Sequence, residues 1–220
     1  MPLPCVAGRV VHAAADRVQL VPRCRRLPRA AARLRADGGA EDASPEALRK
    51  QYTGKIRRLG RERKPKQALD ALSEMVGLGI APDTVAATAV VDACVQSGET
   101  AMAREIFDNM FGSPDDVDDT LLYPDEVAFN VLIRGMGAED PVPWDEIGAT
   151  LRRMERDYGI APGITSYNAL LSVCCRVNDV ERAQQLVERM ELLGIQADGF
   201  TWDAVKSRRS MRSLLKRLQG

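Results

Sequence analysis

Hydrophobic residues recur along the chain with the period of an α-helix, and the same pattern returns four times. Each stretch ends on a methionine, and its apolar positions fall at i, i+3, i+4 and i+7, which places them on one helix face. The four sets are Ala68, Ala71, Leu72 and Met75; Ala103, Ile106, Phe107 and Met110; Ile147, Thr150, Leu151 and Met154; and Ala183, Leu186, Val187 and Met190. The pattern predicts four similar amphipathic helices.

Each closing methionine is followed by a segment that cannot continue as a helix. Glycine supplies a left-handed cap in most of them, and proline blocks the next helical hydrogen bond. These segments are 79–83, 122–125, 159–163 and 194–198. A second apolar stripe precedes each methionine helix, as at Phe129, Leu132, Ile133 and Met136. The sequence therefore predicts helix–turn–helix units.

The spacing of the methionines gives the length of one unit. Met75 and Met110 lie 35 residues apart, Met154 and Met190 lie 36 apart, and Met110 and Met154 lie 44 apart. The longer interval requires insertions between helices, which we assign to an acidic loop at 112–122 and a turn at 138–144. Units of this length cannot bury their apolar faces alone, so the repeat predicts an all-α solenoid of stacked units.

Charge is balanced over the chain but unevenly distributed. The 31 basic and 31 acidic residues cancel, yet residues 1–40 contain eight arginines and two aspartates, a net charge of +6 that leaves −6 for the remainder. Residues 1–36 are rich in arginine and alanine and contain one acid, Asp16, which favours an organellar transit peptide over 1–43. Serine is absent before Ser44, unlike most such peptides, so a disordered basic arm is the alternative. We expect the ordered region to begin at Ser44, because Ser44 suits a helix N-cap and Pro45 suits the first helical position.

The residues that usually carry catalysis are scarce. The only histidine is His12, the five cysteines form no C-x-x-C pair, and no glycine-rich phosphate loop occurs. A zinc site needs about four closely spaced nitrogen or sulfur ligands. We therefore predict no metal, no cofactor and no enzymatic activity. Because no apolar run approaches eighteen residues, we predict no membrane span either.

Several segments resemble the pentatricopeptide repeat. They are 166–171, 128–133, the alanine of 180–183, Met190, and the Gly-Ile and Gly-Ile-Ala-Pro-Asp closures. The resemblance covers Arg49 to Asp198 as four repeats, with a partial fifth from Gly199. The members that this chain resembles are short, P-type organellar proteins. The resemblance implies a right-handed α-solenoid over 44–203 that binds single-stranded RNA. The implied role is RNA processing, splicing, stability or translation in chloroplasts or mitochondria, and abundant alanine and arginine favour the chloroplast.

The resemblance also implies which residues contact RNA. Family members select a base, at roughly one base per repeat, with the fifth and last residues of each repeat, and pack the second residue against the bases. The selecting pairs are Thr53 with Asp83, Thr88 with Asp125, Asn130 with Gly163, and Asn168 with Asp198; the packing residues are Lys50, Val85, Val127 and Thr165. By the family's pairing rule, the RNA sequence that these four pairs select is G, G, a pyrimidine and U, from 5′ to 3′. The alternative is that these Asp and Thr residues only cap helices.

Basic residues gather at both ends of the solenoid. Arg61 and Arg176 fall where the family often has a phosphate-facing cation, and residues 49–66 contain nine basic residues and one acid. The tail 204–220 is basic and amphipathic, which predicts a capping helix. Both runs are equally consistent with ordinary solvated faces.

A protein-binding scaffold is the competing function. Solenoids bind peptides as readily as RNA, and the net −6 of the repeat region favours a structural subunit of an organellar ribosome or RNA-processing complex. The sequence gives no indication of oligomeric state. Accessibility of the face that holds Thr53, Thr88, Asn130 and Asn168 discriminates between the two functions, because an occluded face cannot read bases.

Overall fold

The computed structural model describes residues 44–112 and 122–218, and the regular structure within these ranges is entirely helical. The helices are α1 (Pro45–Arg61), α2 (Pro65–Gly77), α3 (Thr84–Gln96), α4 (Thr100–Phe111), α5 (Glu126–Met136), α6 (Trp144–Arg156), α7 (Ile164–Val177), α8 (Val180–Leu192), α9 (Gly199–Val205) and α10 (Arg209–Leu218). The predicted transit peptide and most of the acidic insertion lie outside the described residues.

Consecutive helices form five pairs that stack on one another. The first helices of the pairs, α1, α3, α5, α7 and α9, each pack against the next one to form a single layer. The second helices cover this layer: α2 contacts α1 and α3, α4 contacts α3 and α5, and α8 contacts α7 and α10. In a solenoid, each repeat packs against the repeats that precede and follow it, as these helix pairs do. The predicted all-α solenoid is therefore confirmed.

The predicted closures form one recurring hydrogen-bonded turn. The backbone N–H of the closing isoleucine donates to the carbonyl of the buried methionine in three repeats, with the intervening glycine in the left-handed region. The bonds are Ile80 to Met75 at 3.1 Å, Ile160 to Met154 at 2.9 Å and Ile195 to Met190 at 2.8 Å. The second repeat makes the same bond from Leu122 to Met110 at 3.2 Å. The residues between 112 and 122 are thus inserted inside an otherwise intact closure.

Two hydrophobic clusters fill the space between the helices. The first joins α1 to α6 and includes Leu170 from α7, and the second joins α7 to α10. Trp144 and Leu186 are partly buried and pack against both clusters. The apolar core is therefore continuous through the fourth repeat, although few side chains join its two parts.

The C-terminal segment contains two helices. Residues 204–205 complete α9, and α10 begins at Arg209 after a short turn, whereas the sequence predicted one capping helix over 204–220. Met211, Leu214 and Leu215 are buried, which places the apolar stripe of α10 against α8 and α9. The partial fifth repeat thus supplies a complete helix pair that packs on the fourth repeat.

Candidate nucleic-acid interface

The second residues of the repeats are exposed on the first helices of the pairs, in the second turn of α1 and in the first turns of α3, α5, α7 and α9. Val85 is 46% exposed and Val127 is 59% exposed, and Lys50 and Thr165 are also exposed. Phe200 occupies the same position in the fifth repeat and is 75% exposed. A regular row of accessible side chains, three of them apolar, therefore runs along one edge of the layer.

The fifth residues of the first two repeats are almost covered. Thr53 is 8% exposed and Thr88 is 9% exposed. The Thr53 hydroxyl donates to the carbonyl of Arg49 at 2.9 Å, within its own helix. The Thr88 hydroxyl is buried and finds no hydrogen-bond partner among the described residues. Neither hydroxyl has open access to a base in this structure.

The fifth residues of the next two repeats are half-buried asparagines with a different arrangement. Asn168 Nδ2 donates to Asp198 Oδ1 at 3.2 Å, and Asn130 Nδ2 donates to Thr165 Oγ1 at 3.1 Å. Within the described parts of the chain, Oδ1 of each asparagine accepts no hydrogen bond. Buried polar atoms are normally satisfied, so these two covered oxygens are unused acceptors. They differ from the Thr88 hydroxyl in that their residues line a groove.

A groove of about 550 Å³ connects the two asparagines. It lies between α5, α7 and α9, and such a volume is typical of ligand sites. Its lining combines apolar and polar side chains: Val127, Val131, Ala169, Val173, Phe200 and Ala204 with Asn130, Arg134, Thr165, Asn168, Ser172 and Arg176, beside Gly137 and Ala138.

The last residues of the repeats are helix N-caps where they carry a carboxylate. Asp83, Asp125 and Asp198 accept hydrogen bonds from the backbone N–H three residues ahead, at 2.8, 2.8 and 2.7 Å. Asp198 also accepts a hydrogen bond from its predicted partner, Asn168. The backbone N–H of Thr201 is the main cause of the lowered pKa of Asp198, with Asn168 contributing. The capping function thus coexists with a contact to Asn168 in the fourth repeat.

Gly163 has no side chain to offer at this position, and its backbone N–H donates to Glu126 Oε1 at 3.2 Å. Glu126 also accepts from Ser166 Oγ at 3.1 Å and from the Thr165 hydroxyl. The Glu126 carboxylate, at the start of α5, therefore accepts hydrogen bonds from the first turn of α7 and from the residue before it.

The two predicted phosphate-contacting arginines differ in their surroundings. Arg61 is exposed at the end of α1 and makes no ion pair with any residue of the described ranges. Arg176 lines the groove, and its guanidinium donates to the carbonyls of Gly137 at 2.9 Å and Glu139 at 2.8 Å. Arg176 thereby fixes the turn after α5.

Sequence reasoning missed two residues that line the groove, Phe200 and Arg134, and a third, Glu126, that contacts its lining residues Asn130 and Thr165. Phe200 could have been found by extending the repeat numbering into the fifth unit, where it is the second residue. Arg134, which pairs with Asp92, and Glu126, which binds the first turn of α7, gave no signal because each acts across helices.

The described residues also contain features that bear on other functions. No helix in this part of the chain combines the length and apolar character needed to cross a membrane. The same residues contain no cluster of three or more potential metal ligands. Cys94, Cys174 and Cys175 are buried free thiols.

Comparison with known proteins identifies the repeat. Residues 162–205 match the PPR repeat family, and residues 71–139 match the pentatricopeptide repeat domain. A chloroplastic pentatricopeptide repeat-containing protein of Arabidopsis thaliana is 28% identical over 138 residues, which is 62% of this chain and 16% of that protein. The small ribosomal subunit protein mL103 of Arabidopsis thaliana is 24% identical over 127 residues, which is 58% of this chain and 28% of that protein.

Solved structures show the same fold. The pentatricopeptide repeat protein PPR10 in complex with an 18-nt psaJ RNA element superposes with a TM-score of 0.65 at 22% identity, covering 83% of this chain and 25% of PPR10. PPR10 from maize gives a TM-score of 0.56 at 18% identity, covering 76% of this chain and 25% of PPR10. With the repeated closures, the helix pairs and the two matching family models, the chain belongs to the pentatricopeptide repeat family.

Proposed function

We propose that this protein binds single-stranded RNA along the layer formed by α1, α3, α5, α7 and α9, at roughly one base per repeat, and acts in organellar RNA metabolism. The observation that carries the proposal is the groove lined by Asn130 and Asn168, whose covered amide oxygens have no hydrogen-bond partner in the described structure. Unpaired bases offer N–H donors on their Watson–Crick edges, which such oxygens can accept.

Exposed side chains beside the asparagines suit the faces of the bases. Phe200 provides an aromatic surface next to Asn168, while Val127 and Thr165 flank Asn130. Stacking of a base on an aromatic ring contributes about 1–3 kcal/mol and tolerates any base. Packing thus supplies affinity, and the asparagines supply selection.

The first two repeats have a different role in this proposal. Their threonines are nearly buried, but Lys50, Arg57 and Arg61 lie on one face of α1 and are exposed. Positive charge along a groove holds the RNA backbone without regard to sequence. The guanine preference predicted for Thr53 with Asp83 and for Thr88 with Asp125 stays a prediction.

The relatives support an organellar RNA-related role. One relative is named a chloroplastic pentatricopeptide repeat-containing protein, and PPR10 is described in complex with RNA. This chain spans 16% of the chloroplastic relative and 28% of mL103, so we do not assign the complete activity of either relative to it. We place the protein in the chloroplast, with the mitochondrion as the alternative.

Crosslinking in isolated organelles followed by sequencing of bound RNA tests the proposal. We expect wild-type protein to enrich short single-stranded segments, and Asn168→Ala to recover the same transcripts with a weaker consensus. Absence of enriched RNA over a mock pull-down contradicts the proposed function. An unchanged consensus in the variant removes Asn168 from base selection and leaves backbone binding.

A structural subunit of an organellar ribosome or RNA-processing complex is the second candidate, because one relative is named a small ribosomal subunit protein. Sedimentation separates the two functions. A ribosomal subunit protein migrates with ribosomal particles after mild ribonuclease treatment and high-salt washing, whereas a sequence-selective RNA binder is released.

A further inference from the structure

The third repeat has no carboxylate at its last position, yet its asparagine is oriented like the asparagine of the fourth. In the fourth repeat, Asp198 Oδ1 accepts from Asn168 Nδ2 at 3.2 Å, and Asn168 Oδ1 is left without a partner in the described chain. In the third repeat the equivalent residue is Gly163, and Asn130 Oδ1 is nevertheless the atom without a partner in the described chain. Another group must therefore hold the Asn130 amide nitrogen.

Glu126 occupies the space that a side chain at position 163 would enter. A Cβ atom built on Gly163 would lie 3.0 Å from Glu126 Oε1 and 3.1 Å from Oε2. The Gly163 backbone N–H donates to Oε1 at 3.2 Å. Burial raises the pKa of Glu126, but the hydrogen bonds that it accepts outweigh burial and hold this pKa below its usual value. The carboxylate is therefore ionised at neutral pH.

Proton counting fixes the orientation of Asn130. The Thr165 hydroxyl has a single hydrogen, which it donates to Glu126. Its oxygen can then act only as an acceptor toward Asn130 Nδ2, at 3.1 Å. Asn130 Nδ2 also lies 3.4 Å from Glu126 Oε1. Glu126 thus holds the amide nitrogen directly and through Thr165, and Oδ1 remains the atom of this side chain that no group in the described chain uses.

We propose that Glu126 is the positioning carboxylate of the third repeat, in place of the missing last-residue side chain, and that it makes this repeat prefer uracil to cytosine. The inference rests on the proposed RNA-binding function. Uracil carries an N–H donor at N3, which the Asn130 Oδ1 acceptor matches, whereas cytosine carries an acceptor at N3. A freely rotating amide could serve either base, so discrimination depends on the group that holds the nitrogen.

The test uses the full chain and a synthetic library of randomised ten-nucleotide RNAs, with sequencing of the bound fraction. Asn168→Ala identifies the base read by the fourth repeat, and the base immediately 5′ of it is the one read by the third. We expect wild-type protein to favour uracil over cytosine there by about fivefold, the usual effect of one hydrogen bond. Glu126→Ala should bring this ratio close to one and leave the ratio at the neighbouring base unchanged.

Moving the carboxylate provides the rescue. In the double variant Glu126→Ala/Gly163→Asp, the removed glutamate side chain leaves room for the new carboxylate, and the backbone of residue 163, with φ of −92°, accepts an aspartate without strain. We expect the uracil-to-cytosine ratio to return to the wild-type value. Glu181→Ala is the matched control, since it removes an exposed glutamate from the first turn of α8 and should leave both ratios unchanged.

A purely structural role for Glu126 gives a different outcome. Loss of the link between α5 and α7 would weaken binding to every RNA and leave the base ratio unchanged. If Glu126→Ala does not fold by circular dichroism, Thr165→Val removes the relaying hydroxyl, keeps the Gly163 contact and should also lower the ratio. Unchanged ratios in the folded variants overturn the inference while RNA binding stands, and failure of the wild type to retain any RNA overturns both.

Discussion

The first and second repeats differ from the third and fourth at equivalent positions. Thr53 and Thr88 are 8% and 9% exposed, while Asn130 and Asn168 are half-buried and border an open groove. A threonine hydroxyl is attached to Cβ and can bond a carbonyl of its own helix, as in Thr53. The asparagine amide extends one bond further and reaches groups on the next repeat. The position within the repeat therefore predicts where a side chain lies, and the length of the side chain decides whether it borders the groove.

The two regions also differ in charge. The first helix offers exposed Lys50, Arg57 and Arg61 without ion pairs in the described residues. At the groove, Arg134 pairs with Asp92, and Arg176 binds two backbone carbonyls. The N-terminal region thus has basic side chains without ion pairs in the described residues, whereas the C-terminal region has hydrogen-bonded asparagine amides. Under the proposed function, this contrast predicts separable contributions of the two regions to RNA binding.

Truncating Phe200 should have the largest effect on affinity. Because one stacked base contributes about 1–3 kcal/mol, Phe200→Ala should weaken binding of a single-stranded RNA by roughly 5- to 150-fold. Leu192→Ala is the matched control, since Leu192 is 86% exposed on α8. Fluorescence anisotropy measures both variants. Equal losses would show that the C-terminal groove is not where bases pack.

Removing the free cations of α1 should act mainly through salt dependence. For Lys50→Ala/Arg57→Ala/Arg61→Ala we expect a slope of log K against log salt that is shallower by about 2, since each phosphate contact on a single strand contributes about 0.7. The base preferences should remain as in the wild type. Titrations at several salt concentrations measure the slope. An unchanged slope would place the RNA backbone away from α1.

Asn168→Ala and Thr88→Ala test the contrast at one repeat position. Loss of an amide that bonds a base should cost about 1 kcal/mol, or roughly fivefold in affinity for the preferred RNA. Thr88→Ala should change affinity by less than about twofold, because this hydroxyl is nearly covered. Competition binding with matched RNAs compares the two. An equal loss in Thr88→Ala would mean that the N-terminal repeats open on binding and read bases too.

The smallest effect is expected where the two regions are alike. Cys94 and Cys174 occupy the same repeat position, and burial raises the pKa of each thiol to about 12. Because only the thiolate reacts, neither should be alkylated by iodoacetamide at about pH 8 in the folded protein. Mass spectrometry locates the labelled cysteines. Labelling at one of the two would show that its half of the solenoid opens locally.

The repeat architecture was readable from the sequence because each unit carries its own signals. Met75, Met154 and Met190 are buried, and the closures after them form the same backbone hydrogen bond. Extending the repeat numbering to Phe200 would have added the fifth packing residue. Glu126 could not be found in this way, because its role depends on a glycine 37 residues away and on the packing of α5 against α7.

The sequence by itself determined the helices, their caps, the period and the family, because these depend on interactions within about 35 residues. The tertiary structure alone decided which repeat positions are open. Stacking of neighbouring helices covered Thr53 and Thr88, opened a groove beside Asn130 and Asn168, and brought Glu126 to the place left by Gly163. Exposure and side-chain orientation depend on contacts between repeats, which no single repeat encodes.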